Sequence, residues 1–324
     1  MSKKALVVGL NFYQKVGRLH GCVNDAHAVN QVLARHMDGS KNFDVKLVTA
    51  VDESSVVTRK QLKDDVIALF RDDCEIAVFY FAGHGFVENT GGFLITSECL
   101  DGDDGLSLDE VMIIANESKA KNKILILDSC HSGSAGTPKS LGDKALLSEG
   151  MTILTASSKD QYADEINGSG VFTTLLVDAL NGGAANLLGE ITPGSIYAHI
   201  DQSLGLWEQR PIFKTNVRAF TSLRKVPPPI ELADLKQILS FFKDPGYEFP
   251  LDPSFEPQPP APNHGVEPDP LNNARFAILQ KMNRLNLVKP VGEEHMYFAA
   301  MNSKSCKLTV LGEHYWRLLA KHRI

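Results

Sequence analysis

The sequence predicts an α/β fold built on a mostly parallel sheet with helices on both faces. Short apolar runs alternate with amphipathic stretches through the first 220 residues. The apolar runs lack the polar alternation of a half-exposed strand, so both faces of the sheet should be covered. Strand–helix–strand alternation with short connections is typical of parallel sheets that carry helices on both sides.

The predicted elements follow in chain order. The predicted strands are rich in Val, Ile, Leu or Phe and comprise Ala5–Leu10, Val45–Thr49, Ile76–Phe81, Ile124–Leu127 and Thr152–Ala156. The predicted helices carry apolar residues at helical spacing. They comprise a first helix capped by Asn24 or Asp25, then Thr58–Phe70, Ser107–Ser118, Val171–Leu180 and Pro193–Leu204.

The composition excludes several classes of protein. Of 324 residues, 43% are hydrophobic and 22% are charged, as in soluble proteins with a large core. The net charge of −6 gives no whole-chain attraction to nucleic acid or membrane. The N-terminal apolar run is too short for a signal peptide, and no run reaches the roughly 20 apolar residues of a membrane span. Five scattered cysteines form neither a zinc motif nor a disulfide framework, so we expect a cytoplasmic protein that requires no cofactor.

The composition also divides the chain into three parts. Twelve of its sixteen prolines lie between Pro227 and Pro270, and proline denies backbone donors to helix and sheet alike. We therefore predict one globular domain over 1–226, a Pro-rich linker over 227–270 and a second globular domain over 271–324. One helical segment, Glu231–Phe242, interrupts the linker. Lys and Arg outnumber Asp and Glu by nine to three in the last part, whereas the linker carries two against eight.

The C-terminal part predicts a helix over Ala274–Val288, a strand at Met296–Ala300 and a final helix over Leu311–Ala320. This order resembles the second half of a winged helix. Because winged helices bind proteins or DNA, we expect this basic module to contact a regulatory protein partner, with nucleic acid as the alternative. Trp316 fits the core of such a module better than its contact surface.

Two predicted strands end in residues that are suited to nucleophilic catalysis. The third strand runs into Ala82-Gly83-His84-Gly85, and the fourth runs into Asp128-Ser129-Cys130. Because ligands bind beyond the carboxyl ends of parallel strands, we expect His84 and Cys130 to lie on adjacent strands at the same edge. The glycines allow a substrate backbone to approach closely and leave N–H groups for an oxyanion hole.

Each of these residues alone also has a structural interpretation. A cysteine at a strand end is most often a small buried hydrophobe, and a single histidine is more often structural than catalytic. The order of His-Gly after one apolar strand and Cys after the next favours catalysis, because caspase-like peptidases place the histidine upstream of the nucleophile. His131 is less suited as the base, since a neighbour in sequence tends to point away from Cys130.

These residues lie in motifs that resemble those of metacaspases and their bacterial relatives, the orthocaspases. The resemblance spans roughly residues 3–220 and rests on five ordered motifs: LHGCVNDA at 19–26, YFAGHG at 80–85, LDSCHSG at 127–133, ILTASSKDQYADE at 153–165 and GVFTTLLVDAL at 170–180. It implies a caspase-like fold whose mostly parallel sheet has six strands, the last of them near Pro211–Thr215.

The resemblance implies a cysteine endopeptidase of the peptidase C14 family. In that mechanism the thiolate of Cys130 attacks the scissile carbonyl, and His84 protonates the leaving amine and later activates water. The oxyanion donors resemble the backbone N–H groups of Gly85 and Cys130.

The resemblance also implies a pocket for a basic side chain. Asp25 and Asp128 match the acidic residues of the metacaspase pocket, and Cys22, Ala156 and Ser157 match positions that line it. Two converging carboxylates favour Arg or Lys before the scissile bond. Both aspartates have structural alternatives, because Asp25 could cap a helix and Asp128 could accept hydrogen bonds at the end of its strand.

Two further features suggest regulation. The stretch 134–148 is expected to be an exposed loop, where cleavage after Lys139 or Lys144 would suit the predicted specificity. An acidic loop resembles the calcium-binding segment of many metacaspases and contains Asp101, Asp103, Asp104 and Asp109. Its spacing does not match an EF-hand, so a solvated acidic turn is the alternative and no metal ligands are assigned.

The leading hypothesis is therefore an endopeptidase whose C-terminal module recruits or senses a partner. By analogy with prokaryotic caspase relatives, bacterial defence or cell death is the context that we expect. The alternatives are a catalytically silent caspase-like scaffold and a DNA-binding regulator that acts through the basic module. The presence of both His84 and Cys130 argues against the scaffold.

Overall fold

The computed structural model describes residues 2–88, 91–129, 147–156, 165–166, 169–204, 210–258 and 266–324. The chain forms two compact units, Met1–Pro227 and Pro228–Ile324. The division lies one residue from the predicted end of the first domain. Within the described residues, no helix is both long and apolar enough to cross a membrane.

The elements of the first unit are as follows. Its described strands are β1 (Lys3–Leu10), β2 (Asp44–Ala50), β3 (Ile76–Ala82), β4 (Gly85–Glu88), β5 (Gly91–Leu94), β6 (Leu106–Ser107), β7 (Asn122–Asp128), β8 (Met151–Thr155), β9 (Glu165–Ile166), β10 (Ser169–Gly170), β11 (Glu190–Ile191), β12 (Ile212–Asn216) and β13 (Arg224–Lys225). Its described helices are α1 (Cys22–Ala34), α2 (Arg59–Arg71), α3 (Leu108–Glu117), α4 (Val171–Asp178), which continues as a π-turn over Ala179–Gly183, and α5 (Pro193–Ser203).

The central sheet has six strands in the order β12-β8-β7-β3-β1-β2. Five of them run parallel, and β12 joins the edge antiparallel to β8. This arrangement confirms the predicted six-stranded, mostly parallel sheet, and all five strands read from the apolar runs are present. Every residue of β3 is buried, which explains why its sequence shows no polar alternation.

Helices cover both faces of the sheet, as predicted. On one face, Leu6, Val8 and Leu10 of β1 belong to a core cluster with residues of α2 and α3. On the other face, Ala5 and Val7 belong to a cluster with residues of α1, α4 and α5. Because successive side chains of a strand point to opposite faces, β1 contributes to both cores.

The start of α1 differs from the prediction that Asn24 or Asp25 caps it. The helix begins at Cys22, and Asn11 supplies the capping oxygen from beyond the end of β1, at 3.1 Å from the Val23 N–H. Gly9 lets the helix approach β1 closely, since a Cβ there would stand 2.3 Å from the Cys22 carbonyl oxygen. Asp25 therefore does not cap α1, and its carboxylate accepts a hydrogen bond from the Gly170 N–H instead.

Side chains cap the starts of α2 and α5. The Thr58 hydroxyl accepts a hydrogen bond from the Gln61 N–H at the start of α2, as the sequence predicted. Thr192 and Ser195 form a capping box at the start of α5, with Pro193 in the first turn, where its missing N–H removes no helical hydrogen bond.

The second unit contains short helices and a small antiparallel sheet. Its elements are α6 (Leu232–Lys236), α7 (Ile238–Phe241), β14 (Glu248–Pro250), α8 (Pro270–Arg284), β15 (Val288–Val291), α9 (Met296–Met301), β16 (Ser305–Leu308) and α10 (Val310–Ala320). The strand order is β14-β16-β15. A chain of aromatic contacts runs through Phe241, Phe249, Phe255 and Phe276, with ring centroids about 6 Å apart, so this unit has its own core.

The helical segment predicted at Glu231–Phe242 is present as α6 and α7, but the irregular linker expected around it is wrong for the described residues 228–258. They carry α6, α7 and β14, and β14 pairs with β16 of the C-terminal part. Prolines are tolerated here because they occupy special positions. Pro250 lies on an edge strand, while Pro253 and Pro270 stand in the first turns of helical segments. At such positions no backbone N–H is needed.

Two other expectations for the C-terminal part change. The predicted strand at Met296–Ala300 is the helix α9, whose buried Met296, Ala299 and Ala300 have helical spacing. The connection from β15 to β16 therefore contains a helix, and the resemblance to a winged helix stays a prediction. Trp316 is half-buried and donates its indole N–H to the Phe242 carbonyl at 2.6 Å, in agreement with a structural role.

The basic charge of the tail is balanced within the second unit. Residues 228–324 contain eleven Lys or Arg and eleven Asp or Glu. Lys281 pairs with Asp234 at 2.6 Å, and Lys307 lies 3.8 Å from Glu248. Since the unit as a whole is neutral, its charge gives no argument for binding nucleic acid.

Candidate active site

Two adjacent strands leave the sheet together at its carboxyl edge. The last residues of β3 and β7, Ala82 and Asp128, are register partners. The Gly83 N–H donates to the Asp128 carbonyl at 3.3 Å beyond the last pair. Two segments therefore begin side by side, as the sequence predicted. One leads to His84, and the other leads through Ser129 toward Cys130. Cys130 itself lies outside the described residues.

His84 is held by two contacts from the segment after β1. Its backbone N–H donates to the Tyr13 hydroxyl oxygen at 2.9 Å, and the two rings are 4.7 Å apart. Its Nε2 lies 2.7 Å from the Gly17 carbonyl oxygen. Because a carbonyl oxygen only accepts, Nε2 carries the proton, and Nδ1 is the nitrogen that can take up or release a proton in catalysis.

The orienting group of His84 was not found from the sequence. A backbone carbonyl performs this task, and any residue type at position 17 would supply the same oxygen. Only the path of the chain after β1 brings Gly17 to the imidazole. The neighbouring Gly85 opens β4 and pairs with Leu94, while the Ile95 N–H donates to the His84 carbonyl at 3.0 Å. This pairing fixes the backbone on the C-terminal side of His84.

The two predicted pocket aspartates come together although they are far apart in sequence. Asp25 in α1 and Asp128 at the end of β7 are 3% and 7% exposed. Both carboxylates face Gly170, where an added Cβ would stand 2.8 Å from Asp128 Oδ2 and 3.3 Å from Asp25 Oδ2. The structure thus brings the two carboxylates together beside Gly170.

Two hydrogen bonds from the start of α4 hold these carboxylates. The Gly170 N–H donates to Asp25 Oδ2 at 3.0 Å, and the Thr173 hydroxyl donates to Asp128 Oδ2 at 2.6 Å. Tyr80, in β3, lies behind them with its hydroxyl 2.6 Å from Thr173 Oγ1. Burial raises the pKa of Tyr80 well above its ordinary value, and the negative charges of Asp128 and Asp25 raise it further, so the phenol stays protonated.

The other predicted pocket residues lie near this edge or outside the described residues. Cys22 is the first residue of α1 and is buried. Ala156 follows β8 directly, is buried and donates its N–H to the Leu127 carbonyl at 2.9 Å. Ser157 lies outside the described residues, as do Lys139 and Lys144.

The acidic loop uses one carboxylate internally. Asp104 accepts hydrogen bonds from the Leu100 N–H at 2.7 Å and the Asp101 N–H at 3.4 Å, which closes a short 3₁₀ turn. Over the described part of the chain, no group of three or more His, Cys, Asp or Glu side chains is arranged to hold a metal ion.

The described cysteines are buried free thiols. Burial raises the pKa of Cys99 to about 11 and that of Cys306 to about 12, and it also raises the pKa of Cys74. At neutral pH such thiols are almost entirely protonated, and the thiolate is the reactive form. The structural interpretation of Cys74, Cys99 and Cys306 therefore holds. Cys22 is also buried, and Cys130 stays the residue expected to react.

We expect iodoacetamide at pH 7.5 to label Cys130 in the folded protein and to leave Cys99 and Cys306 unmodified. Fewer than about one in a thousand thiols with a pKa near 11 is ionised at that pH. Peptide mass spectrometry over a time course locates the label. The same reaction in guanidinium chloride is the control, because all five cysteines should then react. Labelling of Cys99 as fast as Cys130 in the folded protein would contradict this expectation.

Comparison with known proteins agrees with this geometry. Residues 2–222 match the caspase domain family, peptidase C14. Metacaspase-8 of Arabidopsis thaliana is 30% identical over 147 residues, which cover 41% of this chain and 38% of that protein. Metacaspase-1 of Schizosaccharomyces pombe is 25% identical over 217 residues, which cover 57% of this chain and 49% of that protein. The chain thus spans less than half the length of these two relatives.

Two solved structures share the fold at low sequence identity. A crystal structure of a Geobacter sulfurreducens protein has a TM-score of 0.52 and 19% identity, covering 70% of this chain and 98% of that one. Caspase-1 from Spodoptera frugiperda has a TM-score of 0.52 and 12% identity, covering 69% of this chain and 90% of that one. At such identities the likeness concerns the fold alone, and it confirms the caspase-like architecture predicted from the motifs.

Proposed function

This chain belongs to the caspase domain family of cysteine-type peptidases, and from that premise we propose that it is an endopeptidase that cleaves proteins after Arg or Lys. One observation carries the proposal. The carboxylates of Asp25 and Asp128 converge on Gly170, within 3.3 Å of a single point, at the edge of the sheet where His84 is held. That point is where a Cβ on Gly170 would stand, so the two carboxylates lie close to each other. A guanidinium or ammonium group placed beside them could contact both at once.

The proposed chemistry uses Cys130 and His84. The thiol proton of Cys130 passes to Nδ1 of His84, and the thiolate forms a bond to the scissile carbonyl carbon. The C–N bond then breaks as His84 returns the proton to the leaving amine. In the second half, His84 takes a proton from water, the hydroxide adds to the thioester, and the Cys130 thiolate leaves. The backbone N–H groups of Gly85 and Cys130 are the proposed donors to the oxyanion.

The preference for a cation follows from charge and burial. Each carboxylate keeps its place through a donor from the protein, Gly170 for Asp25 and Thr173 for Asp128. Two fixed negative charges repel an aspartate before the scissile bond and attract Arg or Lys, and burial strengthens both effects because the local dielectric constant is low. Arg, with its planar fork of donors, matches two carboxylates best.

We infer two modes of control from the sequence. The Lys-containing stretch 134–148 follows the nucleophile directly, so cleavage after Lys139 or Lys144 would suit the same pocket. The second unit, Pro228–Ile324, has its own core and balanced charge. These properties support a regulatory protein partner over nucleic acid for this unit. Bacterial defence or cell death remains the proposed context.

A panel of fluorogenic peptides that differ only in the residue before the scissile bond tests the function. We expect kcat/KM to be about 100-fold higher for Arg or Lys than for citrulline or Asp, because citrulline keeps the shape of Arg without its charge. Protein that has been labelled with iodoacetamide is the control and should be inactive. A preference for Asp would overturn the pocket argument and leave the nucleophile standing. No turnover of any peptide would favour the silent scaffold.

A further inference from the structure

The start of α4 provides two hydrogen bonds to the acidic pair. Gly170, the N-cap residue, donates from its backbone, and Thr173, within the first turn, donates from its side chain. The two donors come from one rigid element, whereas the two carboxylates come from α1 and β7. One helix end thus contacts both aspartates.

A glycine is needed at position 170 because a side chain would collide with the acidic pair, and not because of its backbone conformation. Its φ of −67° and ψ of 137° are ordinary for any residue. An alanine Cβ would nevertheless stand 2.8 Å from Asp128 Oδ2, a contact that forces one of the groups to shift. A single methyl group at this position would therefore displace the acidic pair without straining the backbone.

The Thr173 hydroxyl has a defined direction. The side chain is 1% exposed, and its one proton goes to Asp128 Oδ2, because a carboxylate oxygen accepts that bond. The Tyr80 hydroxyl, 2.6 Å away, must then donate to Thr173 Oγ1. The resulting chain, from Tyr80 through Thr173 to Asp128, fixes the carboxylate and strengthens its negative end through cooperative polarisation.

The charges of the pair also suit the end of the helix. The N-terminus of an α-helix carries a partial positive charge that stabilises nearby anions. Both carboxylates lie beside the first turn of α4, an eight-residue helix. Negative charge on these carboxylates is therefore stabilised by the first turn of α4.

We propose that Gly170 and Thr173 are positioning residues that determine the preference for a basic side chain, with Tyr80 in support of Thr173. They act through Asp25 and Asp128 and do not touch the reacting atoms. The inference rests on the proposed function, since it concerns the same pocket. It predicts that changes at these two positions weaken binding of the basic residue and leave the reactivity of Cys130 intact.

The test measures peptide binding in the full chain with Cys130→Ala, so that catalysis plays no part. Fluorescence anisotropy gives Kd for two labelled peptides that differ only by Arg or citrulline before the scissile bond. We expect Thr173→Val or Gly170→Ala to raise Kd for the Arg peptide about tenfold and to leave Kd for the citrulline peptide unchanged. Thr173→Ser, which keeps the hydroxyl, should restore Arg binding, and Tyr80→Phe should have a smaller effect than Thr173→Val.

Thr152→Val is the matched control. Thr152 is as buried as Thr173 and lies near the N-terminal end of β8, away from the acidic pair. Its hydroxyl is 3.0 Å from the Thr215 hydroxyl. This variant should keep the affinity for the Arg peptide. In chains that retain Cys130, the rate of iodoacetamide labelling of that residue should be equal in wild type and variants. Thermal unfolding identifies any variant that fails to fold. If Gly170→Ala does not fold, Thr173→Val tests the inference, and if Thr173→Val does not fold, Gly170→Ala tests it.

The outcomes separate the inference from the function on which it rests. If the reference chain with Cys130→Ala binds the Arg and citrulline peptides equally, the proposed specificity fails and the inference fails with it. If that chain prefers the Arg peptide and both Thr173→Val and Gly170→Ala keep the preference, the inference alone is wrong. Equal weakening of both peptides, or weakening by Thr152→Val as well, would also contradict a specific positioning role.

Discussion

Replacing His84 with alanine is expected to lower kcat for an Arg peptide by about 10³-fold, a typical contribution of a general acid–base group. The reason is that Nε2 is fixed by the Gly17 carbonyl at 2.7 Å, so the opposite nitrogen alone exchanges protons with the thiol and the leaving amine. KM should change little, because His84 does not contact the basic side chain in the proposed pocket. Steady-state rates with the best peptide of the panel measure both constants.

Three other variants serve as comparisons for the His84→Ala chain. Cys130→Ala, which removes the proposed nucleophile, sets the background rate. His27→Ala removes an exposed histidine from α1 and should leave the rate unchanged. Tyr13→Phe removes only the hydroxyl that accepts the His84 N–H at 2.9 Å and should lower kcat about tenfold, because the imidazole loses part of its support. A His84→Ala chain that keeps a tenth or more of the wild-type kcat would exclude His84 as the acid–base group.

Replacing Asp128 with asparagine is expected to lower kcat/KM for an Arg peptide by about 100-fold, mainly through KM. The amide has nearly the same shape but no charge, and loss of one buried partner of a cation typically weakens binding by this order. Asp25→Asn should act in the same direction, since both carboxylates face the same point beside Gly170. The citrulline peptide should be cleaved at nearly the same rate by wild type and both variants.

An exposed carboxylate provides the control for this second prediction. Asp64→Asn changes a charge on the outer face of α2 and should leave the ratio of Arg to citrulline cleavage unaltered. If Asp128→Asn and Asp25→Asn both keep that ratio within about threefold of wild type, recognition of the basic residue must occur elsewhere. A large effect at Asp128 with none at Asp25 would confine recognition to one carboxylate.

Several features of the first unit could be read from local sequence. Buried parallel strands such as β3 are apolar on both faces, so the apolar runs identified them directly. Capping is also local, and the threonine at the start of α2 was predicted correctly. The glycine and histidine after β3 were identified as candidates for catalysis because strand ends carry function in such sheets.

The second unit shows where local reading fails. The prolines between 227 and 270 suggested an irregular linker, yet β14 pairs with β16 more than fifty residues later. Proline content indicates only that regular backbone hydrogen bonding is disfavoured within one segment. The pairing of two strands depends on a partner strand that is distant in the chain. The sequence predicts a strand at the position of α9 for a related reason, because six residues give too little periodicity to separate a helix from a strand.

By itself, the sequence determined the α/β class, the order of the strands along the chain and the candidate residues His84, Cys130, Asp25 and Asp128. Only the tertiary structure decided how the described residues of this set are held. Asn11 replaces Asp25 as the cap of α1, the Gly17 carbonyl orients His84, and the first turn of α4 gathers the two aspartates. Backbone groups and contacts between distant segments perform these tasks. Neither produces a pattern of residue types at fixed spacing, so neither can be recognised in the sequence.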